Sequence, residues 1–201
     1  MKKIMMAAVA LCCMTMISVT TTSCADKGNR SPAPDGGTDS LEVVMNLDSV
    51  VITPYLYFGT SLDDVQAYMA KNYADYSDAT PDSLEYIDLD GGGLWVKCYK
   101  NGKRDMSFFF KNADGKDFVM VSYDFYFPIQ IEAVMGELER NGFTNKGVIR
   151  FENDNSDLSY LFLSPDESIE AMVFYWEKDG GSWAVSFQST NDFDLQHLVE
   201  E

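Results

Sequence analysis

Residues 107–121, SFFFKNADGKDFVMV, contain two β-prone runs with Asp114-Gly115 between them. An Asp-Gly pair between such runs indicates a β-hairpin, because the turn requires residues that tolerate positive φ. A similar pattern returns in residues 172–185, MVFYWEKDGGSWAV, with Asp179-Gly180 at the turn. Two hairpins at a fixed offset predict a duplicated unit.

A pattern typical of an amphipathic helix precedes each hairpin. The first helix is predicted to start at Thr60 or Ser61, with an apolar face made of Leu62, Val65, Tyr68, Met69 and Tyr73. The second is predicted over 129–141, with Gly142 as its stop and an apolar face made of Ile131, Val134, Met135 and Leu138. The helices match at an offset of 66 residues (Val65/Ile131), and the hairpins match at an offset of 65 (Phe109/Phe174).

Eight runs have the composition of strands, four after each helix. They are 84–89, 94–99, 106–111, 118–125, 148–151, 159–163, 170–176 and 182–189. The predicted fold class is therefore α+β: a tandem repeat of two α-β-β-β-β units, forming an antiparallel sheet with one helix per unit. Residues 41–57 are predicted to form a lead-in strand, with Pro54 at an edge or bend.

The N-terminus has the features of a targeting segment. Lys2 and Lys3 precede an apolar run over 4–19, and small residues at 20–23 lead to Cys24. Residues 25–40 contain no large apolar side chain, which predicts a flexible tether. The predicted organisation is a signal peptide (1–23), a tether (24–40), a lead-in segment with the first repeat (41–126), the second repeat (127–190) and a tail (191–201). The alternatives are an ordinary secretory peptide cut near Ser23 and an uncleaved anchor.

Two resemblances follow from these patterns. The small residues before Cys24 resemble a bacterial lipoprotein signal, in which the Cys becomes the lipidated first residue, although Thr21 stands where Leu is commonest. The Met- and Thr-rich run and Asp26 are similar to lipoproteins of the Bacteroidota. The tandem units resemble the β-lactamase-inhibitor-like fold, and the phrase YFGTS (57–61) is similar to the helix opening in Bacteroidota lipoproteins of that kind. This likeness implies a concave sheet that grips a protein partner; the disulfides of the inhibitors are missing, so no inhibitory residue transfers.

Net charge and cysteine content limit the classes of partner and of catalytic site that the chain can have. Without residues 1–23 the chain has 13 basic and 32 acidic residues, a net charge of −19, which disfavours nucleic acid and anionic lipid surfaces. Contact with a membrane is expected only through the lipid at Cys24, in the cell envelope as an outer-membrane lipoprotein on its periplasmic or cell-surface side. Beyond Cys24 only Cys98 remains, and the single His of the chain is His197, so a Cys/His catalytic pair is not expected.

The aromatic strands are the strongest candidates for an interaction face. Phe109, Phe174, Tyr175 and Trp176 lie in runs that place large apolar groups on both faces of the sheet. Either the second face awaits a partner, or the lead-in segment and the tail cover it. Lys97 and Lys100 lie in a locally basic stretch, which is either a solvated face or a surface that meets an acidic partner.

Motifs for catalysis and for metal or cofactor binding are not found. Residues 152–157 look like a calcium loop but lack its glycine and its final glutamate, and the glycines at 91–93 lack the lysine of a phosphate loop. We therefore expect no catalytic residue, metal or cofactor, although acid/base catalysis by a pair among the 32 acidic residues stays an open alternative. The leading interpretation is a lipid-anchored module that binds a protein or peptide. The alternatives are an enzyme or carrier with a small-molecule pocket between the repeats, and a structural component of the envelope.

Overall fold

The computed structural model describes residues 41–47, 50–80, 83–89, 92–125, 129–151, 159–176, 182–191 and 198–200. Cys24, the signal segment and the tether lie outside these residues, as does the stretch 152–157 that looks like a calcium loop. The division into signal, tether, repeats and tail stays a prediction.

Helix α1 (Leu62–Asn72) starts where the sequence predicts. The Ser61 hydroxyl accepts a hydrogen bond from the Asp64 backbone N–H at 3.3 Å, and the Asp64 carboxylate accepts one from the Ser61 N–H at 3.0 Å. This reciprocal capping satisfies two backbone donors that the helix leaves open. Val65 and Met69 are buried, so the helix lies with its predicted apolar face on the core.

Helix α2 (Ile131–Arg140) follows the second predicted helix closely. It ends before Gly142, which has a φ of +88°, a conformation that favours glycine after a helix. Its buried side includes Val134 and Leu138. Among the described residues, no helix is long and apolar enough to cross a membrane.

Twelve strands are described, and every recorded pairing between them is antiparallel. They are β1 (Met45–Leu47), β2 (Val50–Ile52), β3 (Ser77–Asp78), β4 (Glu85–Leu89), β5 (Gly92–Lys100), β6 (Arg104–Phe110), β7 (Phe118–Phe125), β8 (Thr144–Phe151), β9 (Ser159–Leu163), β10 (Ile169–Trp176), β11 (Ser182–Ser189) and β12 (Leu198–Glu200). Strands β1 and β2 form a separate hairpin. The others form one sheet in the order β12-β8-β9-β10-β11-β7-β6-β5-β3, with β4 also paired to β5. The α+β class is confirmed.

The β6–β7 hairpin turns at Asp114-Gly115, as predicted. Gly115 has a φ of +71°, and a Cβ there would lie 2.6 Å from the Leu62 Cβ, so glycine serves both the turn and the close approach of α1. The Gly115 carbonyl accepts a hydrogen bond from the Leu62 N–H at 2.7 Å, which ties the turn to the start of α1. The second pair, Asp179-Gly180, lies outside the described residues, although β10 and β11 on either side of it do pair.

The large sheet has two different faces. Both helices pack on one face, here called the helix face, where they meet alternate residues of the central strands. Phe108 and Phe110 of β6 and Val173 of β10 belong to this main core. The opposite face, here called the outer face, has a smaller apolar cluster around Phe109. The triple Phe of β6 thus serves both faces, as predicted.

The lead-in segment belongs to the helix side of the molecule. Met45 and Leu47 of β1 are fully buried in the main core. The Asn141 side chain at the end of α2 holds the Val44 backbone through two hydrogen bonds of 2.9 Å, one to the N–H and one to the carbonyl. The described residues of 41–57 therefore pack on the helix side and do not cover the outer face, which was one of the two alternatives for that face.

Candidate functional site

Polar side chains gather at the centre of the outer face, where β6, β7 and β11 are adjacent. Strand register places Ser107 opposite Ser122, and Ser122 opposite Ser186. In the next row Asp105 lies opposite Asp124. We call these five residues, Asp105, Ser107, Ser122, Asp124 and Ser186, the polar strip.

The polar strip is buried, which is unusual for a sheet face that carries no described helix. Asp105 is 1 % exposed, and the three serines are between 2 % and 4 % exposed. Asp124 keeps part of its surface accessible, although its Oδ1 is buried. Buried polar groups are normally hydrogen-bonded, so those that are not point to a bound group or to stored repulsion.

Asp105 and Asp124 form a directly opposed carboxyl pair. Residues facing each other across antiparallel strands have Cβ atoms about 4.5–5.5 Å apart, and like charges there repel. Burial, and after it repulsion from Asp105, raise the pKa of Asp124 to about 7, although the nearby Ser122 hydroxyl offsets part of the increase. The ionised form of Asp124 is therefore disfavoured up to about neutral pH.

Polar atoms of the strip that have no hydrogen-bond partner include Asp124 Oδ1 and Ser122 Oγ, both buried and both on the outer side of β7. The Ser122 hydroxyl is close enough to Asp124 to affect its pKa, yet its geometry is not that of a hydrogen bond. One acceptor and one hydroxyl therefore lie next to each other, and neither is satisfied within the protein.

The surroundings of the polar strip are mixed. Cys98 Sγ lies 3.5 Å from Ser107 Oγ at one end, in the apolar cluster around Phe109. In the flanking row the Gln188 amide donates to a Glu170 carboxylate oxygen at 2.6 Å. Burial raises the pKa of Glu170, and the bond from Gln188 offsets part of that increase. Within the described ranges, no three His, Cys, Asp or Glu side chains are grouped to hold a metal ion.

The aromatic residues predicted as an interaction face lie in several environments. Phe109 is fully buried, and Phe174 is 8 % exposed. Tyr175 is half-buried, with its ring 5.0 Å from that of Trp183, which packs against the main core. Trp176 pairs with Ser182 in the sheet, and its side chain lies outside the described set. Phe109 and Phe174 are thus packed inside the protein and are not exposed to solvent.

The two predicted basic residues lie on opposite faces of β5. Lys97 is 3 % exposed; its Nζ lies 2.7 Å from an Asp78 carboxylate oxygen and donates to the Thr80 carbonyl, so its charge is met within the chain. Lys100 is half-buried on the outer face, directly opposite Asp105. One cross-strand row therefore runs from Lys100 through Asp105, Asp124 and Ala184 to Phe174.

Comparison of the chain with protein-family models, with curated proteins and with solved structures finds no match. The resemblances to Bacteroidota lipoproteins and to the β-lactamase-inhibitor-like fold accordingly stay predictions. The candidate site rests on the geometry of the outer face.

Sequence reasoning missed the polar strip although part of its signal was visible. Ser122 and Asp124 interrupt a predicted apolar strand, and Ser107 interrupts another. The predicted strand began at Met106, so Asp105 fell in a loop, whereas β6 begins at Arg104. A polar residue repeating every second position in a buried strand was the available clue.

Proposed function

We propose that the protein is an exported, lipid-anchored binding module, attached to the cell envelope through Cys24, whose outer face receives a basic group of a protein or peptide. The export and the anchor rest on the basic start, the apolar run and the small residues before Cys24. The binding role rests on the polar strip. No residue is assigned a catalytic role.

A tandem duplication gives this module its shape in our proposal. The described strands after α1 are the short β3 and then β4 to β7, and those after α2 are β8 to β11 and then the short β12; within each set of four longer strands, consecutive strands pair antiparallel. The last strand of each set pairs with the last strand of the other, β7 with β11, so the two sets meet at the centre of the sheet. This order and the sequence offsets of 65 and 66 support two copies of one unit.

The observation that carries the binding proposal is the pair of unpartnered polar atoms, Asp124 Oδ1 and Ser122 Oγ, at this central junction. Leaving a buried acceptor without a donor is costly, by roughly 1–3 kcal/mol, and a ligand that supplies the donor recovers that cost. The outer face carries no packed helix within the described part of the chain.

The chemistry of the polar strip favours a cation. Lys100 lies opposite Asp105 in the same row, so the carboxyl left for a further cation is that of Asp124. An ammonium or guanidinium group beside Asp124 would offset its repulsion with Asp105. The Ser122 hydroxyl can accept a hydrogen bond from the same group. The acidic balance of the whole chain, −17, would also speed the approach of a basic partner.

A second candidate is a carrier or enzyme with a small-molecule site at the same junction. The observation that favours it is the pKa of about 7 for Asp124, since a carboxyl that titrates near neutrality can exchange a proton during a reaction. A purely structural envelope role would use neither Asp105 nor Asp124.

The test is a binding array of peptides that each carry one central lysine, printed beside the same peptides with acetyl-lysine. We expect the full-length protein to bind a subset of the lysine peptides, and we expect Asp105→Asn with Asp124→Asn to abolish that binding. Glu85→Gln with Asp88→Asn, on exposed positions of β4, is the matched control and should bind like the wild type. Equal signals for lysine and acetyl-lysine peptides would refute recognition of a basic group.

Anchoring is tested separately. Cells fed an alkyne-tagged fatty acid should label the wild-type protein and leave a Cys24→Ala variant unlabelled. Label retained in that variant would contradict lipidation at Cys24 without affecting the binding proposal.

A further inference from the structure

Arg104 opens strand β6 on the helix face, and its guanidinium is enclosed by tyrosines. The residue is 3 % exposed. Its guanidinium carbon lies 5.4 Å from the ring centres of Tyr73 and Tyr76 and 5.9 Å from that of Tyr123. These are cation–π distances, so the three rings hold the side chain in place.

Within the described part of the chain, no carboxylate forms an ion pair with Arg104. The ion pairs found among the described residues involve Lys97, Lys116, Arg140 and Lys146. Arginine stays protonated in proteins, so the buried positive charge persists at every physiological pH. A buried charge with neither an opposite charge nor a full set of hydrogen bonds is strongly disfavoured.

The surrounding tyrosines cannot supply a negative charge near pH 7. Burial raises the pKa of Tyr76 to about 12, although Arg104 lowers it in part. Burial raises the pKa of Tyr123 well above its usual value of 10.0 as well. Both hydroxyls are therefore neutral and carry protons that they can donate.

Two hydrogen-bond donors near each other lack a partner. Arg104 Nε donates to the Tyr76 hydroxyl, but Arg104 Nη1 is buried and makes no hydrogen bond. Tyr123 Oη is also buried without a hydrogen bond, although the Tyr55 backbone is near it. Arg104 pairs with Phe125 and Met106 pairs with Tyr123, so Arg104 and Tyr123 are diagonal neighbours on the same face.

This position lies close to the protein surface. Tyr73 and Tyr76 are only half-buried, and the turn before Arg104 includes the exposed residues Gly102 and Lys103, which form the solvent side, or entrance, of the site. A negative charge, that of Asp75, lies near Tyr76 and raises its pKa. The charge that favours an anion is therefore that of the buried guanidinium.

We propose that Arg104 Nη1 and Tyr123 Oη bind one small anion, a halide or a carboxylate group, at the end of helix α1. The anion would neutralise the guanidinium and accept both unpartnered donors. The site lies on the face of the sheet opposite to the polar strip and does not depend on the function proposed for that strip.

The test follows thermal unfolding of the full-length protein at constant ionic strength. The background salt is sodium morpholinoethanesulfonate, whose anion is too bulky for the site, and it is replaced stepwise by sodium chloride or sodium acetate. We expect saturable stabilisation by at least one of the two. At an anion concentration about nine times its dissociation constant, the folding equilibrium constant should rise about tenfold. A response to chloride alone identifies a halide site, and a response to acetate alone identifies a carboxylate site.

Variants assign the response to the site. Arg104→Gln should abolish it, and Tyr123→Phe should weaken it, whereas Lys103→Gln removes an equal charge at the entrance and should retain it. Bromide diffraction gives an independent measurement on the unmodified protein, with an anomalous peak expected within hydrogen-bonding distance of Arg104 Nη1. Equal small effects of all three salts, together with no bromide at Arg104, would show that water alone satisfies these donors and would overturn the proposal.

Discussion

Replacing Asp124 by Asn should increase the free energy of unfolding at pH 8 and leave it nearly unchanged at pH 4. Asp124 has a pKa of about 7 in the folded protein and an ordinary value of 3.8, because burial and Asp105 disfavour its ionised form. Between these two pH values the unfolded chain has lost the proton that the folded protein retains. The folded state is therefore penalised as the pH rises, and below pH 3.8 the penalty is absent.

The size of the stability difference follows from the interval between the folded and unfolded pKa values of Asp124. Each pKa unit corresponds to about 1.4 kcal/mol, so a shift of three units corresponds to roughly 4 kcal/mol at most. The difference in stability between Asp124→Asn and the wild type should grow from near zero at pH 4 toward this value at pH 7 and then level off. An amide at position 124 cannot be ionised, so the stability of the variant lacks the pH dependence that Asp124 causes in the wild type.

The assay is urea unfolding of the full-length chain at half-unit pH intervals from 4 to 8. Asp105→Asn should lower the pKa of Asp124, because it removes the charge that, after burial, raises this pKa. Asp88→Asn, at an exposed position of β4, provides the control for loss of one acid. A wild-type minus Asp124→Asn difference that stays constant across this range would refute the raised pKa of Asp124.

Three further predictions concern single contacts. In urea unfolding, Asp78→Asn should lower the free energy of unfolding by about 1–3 kcal/mol, because it leaves the buried Lys97 ammonium without its carboxylate. Lys97→Met should lower it by less than about 1 kcal/mol, because water can reach the Asp78 carboxylate that remains. The reverse order would contradict this. Ser61→Ala should cost about 1 kcal/mol through loss of the α1 cap, and a cost of zero in the same assay would count against the cap. The buried Cys98 should react with a thiol reagent only at the rate of unfolding, and rapid reaction in the native state would contradict its burial.

Local structure was predictable because its causes are local. The capping residues before α1, Gly142 after α2 and the strands 118–125 and 159–163 all follow from residues within a few positions of one another. The α+β class follows from the same patterns, since helices and strands with these periods permit few other arrangements.

The site was not predictable because its causes are long-range. Asp105 and Asp124 meet only through the register of β6 and β7, which includes an irregularity at Phe109/Phe110. A slip of one residue would turn either carboxyl to the other face. The placement of residues 41–47 on α2 likewise depends on Asn141, almost a hundred positions away.

The burial of Phe109 shows that composition alone does not decide whether an aromatic strand is exposed. A run of aromatic residues with both faces apolar indicates either an exposed surface or a second core. The choice depends on which strands lie beside it, and here Val96, Val119 and Ile87 complete an apolar cluster. Polar groups, rather than aromatic ones, mark the centre of the outer face.

The most direct test of the binding role is crosslinking in intact cells with Cys24 retained, followed by purification of the protein and identification of what is attached. A specific partner should be captured by the wild type and by Glu85→Gln with Asp88→Asn, and lost with Asp105→Asn and Asp124→Asn together. Undiminished capture of the same partner by that double variant would show that the polar strip does not recognise it.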